Sequence, residues 1–246
     1  MKHFRPRLSR RAFWVLCALL VCLRLALTGF QQAYIWVGGA PLDDELMFRA
    51  ANHITAGQWL GAYDYLTLSK AMFFPVWLAL LHALHLPYLI SGAALWCGAA
   101  LLAAFAFSTL WRKKDTAQGR VLTLGLFAVL AFLPSSWAAY TLRIYRDNIF
   151  PALCLYFFAG VAGMALRAVF TPEKPLWPWL AAAGAGLACG YLDREDAGLF
   201  LLPFAAAATV IVAVVLAGKR RWKALAAQVI PYVMLGVGVL TFCTLN

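Results

Sequence analysis

Charged residues are scarce in this chain. They account for 13% of the 246 residues, whereas 64% are hydrophobic and the mean hydropathy is +0.77. Soluble domains carry about 25% charged residues, and a protein of this size cannot bury so much apolar surface in one core beneath a polar coat. The composition therefore excludes a water-soluble globular protein, and lipid is the expected solvent for most of the chain.

Paired cysteines and a continuous basic surface are also missing. The six cysteines lie within apolar stretches, and none forms a Cys-x-x-Cys pair or a Cys/His metal spacing, so neither a disulfide framework nor a zinc site is indicated. The net charge of +11 comes from short basic clusters between apolar runs. Nucleic-acid binding needs basic side chains gathered on one solvated surface, so we expect no nucleic-acid partner.

Apolar runs fill most of the sequence. A membrane-spanning helix needs about 20 residues, and seven runs are near this length, at 12–36, 88–111, 121–141, 149–169, 177–192, 197–217 and 224–244. We predict an all-α fold, a polytopic membrane helix bundle with about seven transmembrane helices that forms one integral membrane domain over 1–246. Residues 1–11 are basic and no clear cleavage site follows, so we interpret them as a cytoplasmic N-terminus before an uncleaved signal anchor.

A shorter apolar run, 71–86, decides the topology. If it crossed the bilayer, the basic segment 111–115 would lie outside. If it enters the interface and returns, most Lys and Arg residues fall in cytoplasmic segments, as the positive-inside rule requires. We therefore predict an outer loop over 38–87 with interfacial, juxtamembrane helices, followed by the helix bundle at 88–246.

The acids are distributed unevenly between the two predicted sides. Eight of the ten fall on the outer side, namely Asp43, Asp44, Glu45, Asp64, Asp147, Asp193, Glu195 and Asp196. Topology does not explain this distribution, because orientation depends on Lys and Arg rather than on acids. We therefore predict a site at the outer surface.

Three of these acids, Asp43, Asp44 and Glu45, precede a helical pattern of apolar residues that starts at Leu46. The pattern predicts a helix in the membrane plane. One interpretation is that the acids cap this helix and complement its dipole. The other is functional, because adjacent carboxylates at a lipid-water boundary raise the pKa of one member or bind a divalent cation such as Mg, Mn or Ca.

Two further outer loops, 143–151 and 191–197, mix arginine with acids. Each is either a salt-bridged surface hairpin or, together with the first loop, part of one site. Arg24 lies within the first run, where a cation either extends to lipid phosphate or serves a function. His82 and His85 have a metal-ligand spacing but no third ligand nearby, so contacts with lipid headgroups are the simpler interpretation.

Taken in order, the loop motifs resemble the GT-C superfamily of membrane glycosyltransferases. This family uses polyprenyl-phosphate sugars and includes protein O-mannosyltransferases and lipid A aminoarabinose transferases. Asp43-Asp44-Glu45 stands where the family has an acidic pair after its first span. Gly57-Gln-Trp-Leu60 is similar to its Gly-x-Trp-Leu, Lys70 to Leu78 is similar to its Lys-containing segment before a juxtamembrane helix, and Arg143 to Asp147 resembles its second outer loop. The resemblance covers roughly residues 12–200.

This resemblance implies inverting sugar transfer at the outer face, from a polyprenyl-phosphate donor to an acceptor glycan, lipid or protein. It makes Asp43 or Asp44 the catalytic general base, with Asp43 slightly preferred. Four cations are available for the donor phosphate, namely Lys70, Arg143, Arg146 and Arg194, and four acids for a metal or for orienting the acceptor, namely Glu45, Asp147, Asp193 and Glu195. The expected localisation is the bacterial inner membrane.

Two other classes are alternatives. A polytopic transporter uses buried charges along a pathway through the bilayer, whereas the charges here lie mainly in the outer loops. A non-catalytic membrane subunit or a truncated fragment is the second alternative, because GT-C proteins usually continue well beyond 246 residues.

Overall fold

The computed structural model describes residues 8–36, 41–59, 61–62, 66, 70–111 and 116–244. Several predicted features lie outside the described residues, namely most of the N-terminal segment 1–11, Leu60 of the Gly-x-Trp-Leu motif, Asp64 and the basic segment at 112–115. Helices dominate the described part, which contains no strand. The all-α prediction is therefore confirmed.

Ten α-helices follow one another along the described part of the chain. They are α1 Arg10–Thr28, α2 Leu46–Thr55, α3 Phe73–Ala83, α4 Tyr88–Phe107, α5 Thr116–Ala131, α6 Phe150–Phe170, α7 Trp177–Asp193, α8 Gly198–Gly218, α9 Trp222–Ala226 and α10 Ile230–Thr244. A π-helical segment, Pro41–Glu45, leads into α2, and short 3-10 turns lie between several of the other helices.

Five helical segments of the described chain are long and apolar enough to cross a membrane. They are Arg10–Thr28, Tyr88–Trp111, Phe150–Phe170, Glu195–Gly218 and Trp222–Thr244. The helices α5 and α7 have 16 and 17 residues, or about 24–26 Å at 1.5 Å per residue, which is less than a hydrocarbon core of about 30 Å. Five candidate spans are thus present, and the expected count of seven is not confirmed.

In two of the predicted apolar runs, the helix ends before the apolar run does. The helix α1 stops at Thr28 instead of continuing to residue 36. The helix α5 stops at Ala131 instead of residue 141, because Pro134 cannot continue a helix and restricts the residue before it. Residues 134–148 form three short 3-10 turns, and this irregular segment positions Arg143.

The helix α6 is packed against α4, α7 and α8. Glycines allow α6 and α7 to approach closely. A Cβ on Gly160 would lie 2.4 Å from the backbone nitrogen of Ala183, and a Cβ on Gly186 would lie 2.4 Å from that of Phe157. Such contacts leave room only for hydrogen, as at the small-residue interfaces of membrane helices.

Polar contacts identify two ends of the bundle. At one end, Arg120 of α5 donates to the carbonyl oxygen of Leu8 at 2.7 Å. At the other end, Tyr88 at the start of α4 donates from Oη to the carbonyl oxygen of Arg143 at 2.8 Å. We call these the basic end and the acidic end, respectively. The acidic end carries Asp43, Asp44, Asp147, Asp193, Glu195 and Asp196, and within the described part of the chain each of these except Asp193 forms an ion pair with a lysine or arginine side chain.

Both flanks of α3 lie at the acidic end. Lys70, just before α3, pairs with Asp43 at 2.8 Å, and Tyr88, just after it, bonds to the carbonyl oxygen of Arg143. The 11 residues of α3 span only about 16 Å, and the helix packs against α2. The chain therefore enters and leaves α3 at the same end of the bundle.

Candidate functional site

The first group of polar residues at the acidic end consists of Asp43, Asp44, Lys70, Arg143 and Tyr145, and we call it the Asp43 cluster. The two aspartates belong to the π-helical segment Pro41–Glu45, and the other members come from residue 70 and from the segment before α6. The fold thus joins residues that are about 100 positions apart in the sequence. Isolated π-helical turns are uncommon and are frequent at functional sites.

Asp44 is completely enclosed, with an exposed fraction of 0%. Its carboxylate accepts two hydrogen bonds from Arg143, one from Nε at 2.9 Å and one from Nη2, in a bidentate arrangement. The backbone N–H of Trp36 donates a third bond at 2.9 Å. Because charge-assisted bidentate pairs are strong and directional, Asp44 holds three chain segments together.

The backbone around Arg143 is fixed from two sides. The extended residue Tyr34 donates to the carbonyl oxygen of Leu142 at 3.1 Å and accepts from the N–H of Ile144 at 2.8 Å, forming an isolated bridge. On the other side, Tyr88 Oη bonds to the carbonyl oxygens of Arg143 and Tyr145. These main-chain contacts therefore fix the backbone that carries Arg143, and the ion pair with Asp44 orients its guanidinium.

Asp43 has a different environment from Asp44. Its side chain is 34% exposed, and Lys70 Nζ lies 2.8 Å from Oδ1. Tyr145 Oη donates to the same carboxylate at 3.4 Å, and Arg143 Nη2 lies 3.8 Å from Oδ2. The bond from Lys70 holds the pKa of Asp43 below its ordinary value. Burial raises the pKa of Tyr145, so this hydroxyl stays protonated and remains a donor.

A second group at the acidic end, the Asp193 cluster, consists of Arg146, Asp147, Asp193, Arg194, Glu195 and Asp196. Arg194 pairs with Asp196 through two bonds at 3.1 and 3.0 Å and with Asp147 at 3.3 Å. Arg146 lies 3.6 Å from Glu195 Oε2. The guanidinium of Arg146 also covers the Tyr145 ring at 5.2 Å, so the two clusters adjoin at Tyr145.

Asp193 differs from the other acids of its cluster. It has no exposed surface, and neither of its carboxylate oxygens has a hydrogen-bond partner among the described residues. Arg146 reaches only its carbonyl oxygen, at 3.5 Å. Keeping a buried carboxylate ionised without hydrogen bonds costs free energy. The positive charges of nearby arginines such as Arg146 reduce this cost for Asp193.

A cavity of about 170 Å³ adjoins the Asp43 cluster at Lys70. Its walls combine polar and apolar side chains from four parts of the chain, namely Lys70, Ala71, Met72, Tyr191, Leu192, Glu195 and Phe242. Phe242 belongs to α10, and its ring also faces Trp59 at 6.1 Å. The cavity therefore places the ammonium of Lys70 and the carboxylate of Glu195 beside an apolar wall.

Comparison with known proteins found no match. No protein-family model, no curated protein and no solved structure matches this chain.

The structure brings together nearly all of the sequence-predicted site residues. Asp43, Asp44, Lys70 and Arg143 form one cluster, and the predicted members of the 143–151 and 191–197 loops form the adjoining one. Glu45 is the exception, because it is exposed and makes no ion pair with the described residues. Sequence reasoning missed the positioning roles of Trp36, Tyr88 and Tyr145. Of these three, only Tyr145 could have been anticipated from the sequence, because it stands between two arginines and aromatic rings often pack against arginine.

A divalent cation does not fit the Asp43 cluster. Both oxygens of Asp44 accept bonds from Arg143, and Asp43 contacts Lys70, so positively charged groups already neutralise the two carboxylates. The described part of the chain has no group of three or more His, Cys, Asp or Glu side chains placed to hold a metal ion.

Proposed function

We propose that this protein is a membrane glycosyltransferase that moves a sugar from a polyprenyl-phosphate donor to an acceptor glycan, lipid or protein. The Asp43 cluster carries the proposal, because it pairs a partly exposed carboxylate with a lysine that lines a partly apolar cavity. The resemblance of the loop motifs to GT-C enzymes supports the same activity. A transporter is less favoured because the charged clusters lie at one end of the bundle.

We further propose seven crossings, with α5 and α7 added to the five longer segments. The support is that the connections before and after these two helices lie at alternate ends of the bundle. A short span is accommodated by local thinning of the bilayer. The basic end then faces the cytoplasm of the bacterial inner membrane, as the positive-inside rule requires, and α2 and α3 lie at the outer boundary.

Asp43, rather than Asp44, is the proposed general base. A general base must come within hydrogen-bond reach of the acceptor hydroxyl, and Asp43 is accessible whereas Asp44 has no exposed surface. The lone pairs of Asp44 are occupied by Arg143 and Trp36. Asp44 is therefore a positioning residue, and Arg143 links it to the base.

The pair between Asp43 and Lys70 couples donor binding to base strength. While Lys70 is bonded to Asp43, the carboxyl pKa is low, so the group is ionised but accepts a proton weakly. An anionic donor phosphate in the adjoining cavity competes for the ammonium. When Lys70 moves to the phosphate, the pKa of Asp43 rises toward its ordinary value and proton transfer becomes more favourable.

In the transfer step, the acceptor oxygen forms a bond to the anomeric carbon of the sugar as its proton passes to Asp43. The bond between that carbon and the phosphate oxygen breaks, and the polyprenyl phosphate leaves with one additional negative charge. Lys70 stabilises this charge as it develops. Arg146 and Arg194, predicted as phosphate ligands, are paired with acids in a cluster of two arginines and four acids, so we do not propose them as direct ligands of the phosphate.

Asp43→Asn tests the proposal. The protein is reconstituted in liposomes with a panel of polyprenyl-phosphate sugars, and the glycosylated product is measured. Because asparagine cannot accept the proton, we expect a loss of transfer of about 100-fold or more. Asp43→Glu retains a carboxylate and is expected to retain part of the activity.

Glu173→Gln is the matched control, because it removes one carboxylate between α6 and α7 at the basic end. It is expected to transfer sugar at the wild-type rate. Wild-type transfer by Asp43→Asn in a folded protein would contradict the proposal. Solute flux into sealed vesicles without any glycosylated product from the wild type would favour a transporter instead.

A further inference from the structure

Arg24 lies one turn before the end of α1 at Thr28 and is only 3% exposed. Its Nη2 donates to the carbonyl oxygen of Ser136 at 2.7 Å, and its guanidinium covers the ring of Trp137 at 3.3 Å. Its other two nitrogens, Nε and Nη1, have no hydrogen-bond partner among the described residues. A buried guanidinium with unsatisfied donors is costly, so these groups require a partner.

The residue lines a cavity of about 50 Å³ at the acidic end of the bundle. The walls come from α1 and the residues just after it, from α4 and from the 134–151 segment, and they include Arg24, Gly92, Ser135, Ser136 and Asn148. None of them is a member of the Asp43 or Asp193 cluster. This volume holds about three or four water-sized groups.

The charge of this cavity is not balanced by the protein. Its walls include one arginine and no Asp or Glu. Stacking on Trp137 stabilises the guanidinium in part, but it supplies no counterion. A buried cation inside a membrane protein usually pairs with an anion or has a functional role. Water satisfies hydrogen bonds but does not neutralise the charge.

The wall also offers an acceptor. Asn148 donates from Nδ2 to the carbonyl oxygen of Thr141 at 2.8 Å, whereas its Oδ1 is buried without a partner. Gly92 is necessary for this position, because a Cβ there would lie 2.1 Å from Asn148 Oδ1. The cavity thus combines a cationic fork with a neutral acceptor, which matches an oxyanion that carries a hydroxyl group.

We infer that the Arg24 cavity binds a phosphate-class oxyanion, either the headgroup of a phospholipid or free phosphate. The guanidinium supplies the charge and two N–H donors, and Asn148 Oδ1 accepts the acidic or alcoholic O–H of the ligand. This inference concerns residues outside the proposed glycosyl-transfer site and does not depend on that activity.

Thermal unfolding of the full chain in a neutral detergent tests the inference. One arm adds inorganic phosphate against sodium chloride of equal ionic strength. The other arm adds phosphatidylglycerol to the micelles, with diacylglycerol as the lipid that lacks phosphate. We expect at least one phosphate probe to raise the wild-type unfolding midpoint by about 3 °C at saturation, and the arm that responds identifies the source.

Arg24→Gln removes the charge while it keeps a donor for the Ser136 carbonyl oxygen, and the midpoint shift is expected to disappear. Ser135→Asp is the second variant. Ser135 is exposed at the cavity wall, so this substitution adds a repelling carboxylate without disturbing the core, and it is expected to weaken binding at least tenfold. Arg120→Gln is the control, because Arg120 also donates to a backbone carbonyl oxygen at 2.7 Å and lies at the basic end.

The inference is overturned if neither probe shifts the wild-type midpoint. It is also overturned if Ser135→Asp responds to the probes as the wild type does, a result that can be read even if Arg24→Gln does not fold. Equal loss of response in Arg120→Gln would show that the effect is general charge screening and not binding at this cavity.

Discussion

Replacing Asp44 with asparagine removes the negative charge from a carboxylate that has no exposed surface. The side chain keeps its shape, but one of its two acceptor oxygens becomes an NH₂ donor. Arg143 keeps its positive charge while its side chain is only 16% exposed. The variant therefore leaves a largely buried cation facing a neutral amide.

The magnitude follows from the bonds that are lost or weakened. Asp44 accepts two bonds from Arg143 and one from Trp36, and a hydrogen bond to a charged group contributes about 1.5–3 kcal/mol. Removing one partner of a buried ion pair costs about 3–5 kcal/mol. Because Arg143 keeps some solvent contact and asparagine keeps one acceptor, we expect a loss of about 2–4 kcal/mol, or about 4–16 °C in the unfolding midpoint.

A double-mutant cycle measures this interaction. The unfolding midpoint and free energy of Asp44→Asn, Arg143→Gln and the double variant are compared with the wild type in one detergent. We expect the double variant to be less destabilised than the sum of the single variants, with a coupling of at least about 1.5 kcal/mol. Additive effects, or a midpoint for Asp44→Asn within about 2 °C of the wild type, would refute the assignment of Asp44 as a structural anchor.

Two further predictions concern helix packing and acid stability. Gly160→Ala is expected to lower the free energy of unfolding by about 1–3 kcal/mol, because the new Cβ would clash with the backbone nitrogen of Ala183. Gly125→Ala is the control, since its Cβ meets nothing within 4 Å and the free energy of unfolding is expected to stay the same or rise. Equal effects of the two variants in chemical denaturation would contradict the close packing of α6 and α7. Since Lys70 lowers the pKa of Asp43, the stability from this pair is complete above about pH 4 and is lost as the pH falls through the lowered pKa. Lys70→Met is therefore expected to flatten the unfolding-midpoint profile below about pH 4, and an unaltered profile would count against the pair.

Local features of the sequence were sufficient to predict most of the helices. Apolar runs and helical spacing predicted α2, α4, α6, α7 and α8 within a few residues of their observed bounds. Helix hydrogen bonds form between residues close in sequence, so short-range patterns are enough to locate these helices. The prediction that the helical run 121–141 continues through residues 132–141 was wrong, because α5 ends at Ala131. Pro134 is a local signal for that boundary, but composition outweighed it in the prediction.

The sequence was also sufficient to predict which residues form the site, because loops that combine arginine with acids stand out in a chain with few charges. Their partners were not. Arg143 was expected to hold a donor phosphate, yet its guanidinium is bonded to Asp44, and Arg194 is bonded to Asp196. Pairing of this sort depends on which backbones approach each other, and sequence spacing does not report that.

The sequence by itself determined that the chain is helical and that its composition suits lipid, and it predicted that most of the acids lie in loops on one side. These properties follow from composition and short-range periodicity. Only the tertiary structure decided that Asp44 is enclosed and Asp43 is accessible, although the two are adjacent in the chain. Exposure and pKa depend on contacts with Lys70 and Arg143, which folding brings to the aspartates from distant positions, and two neighbouring carboxylates thereby acquire different chemistry.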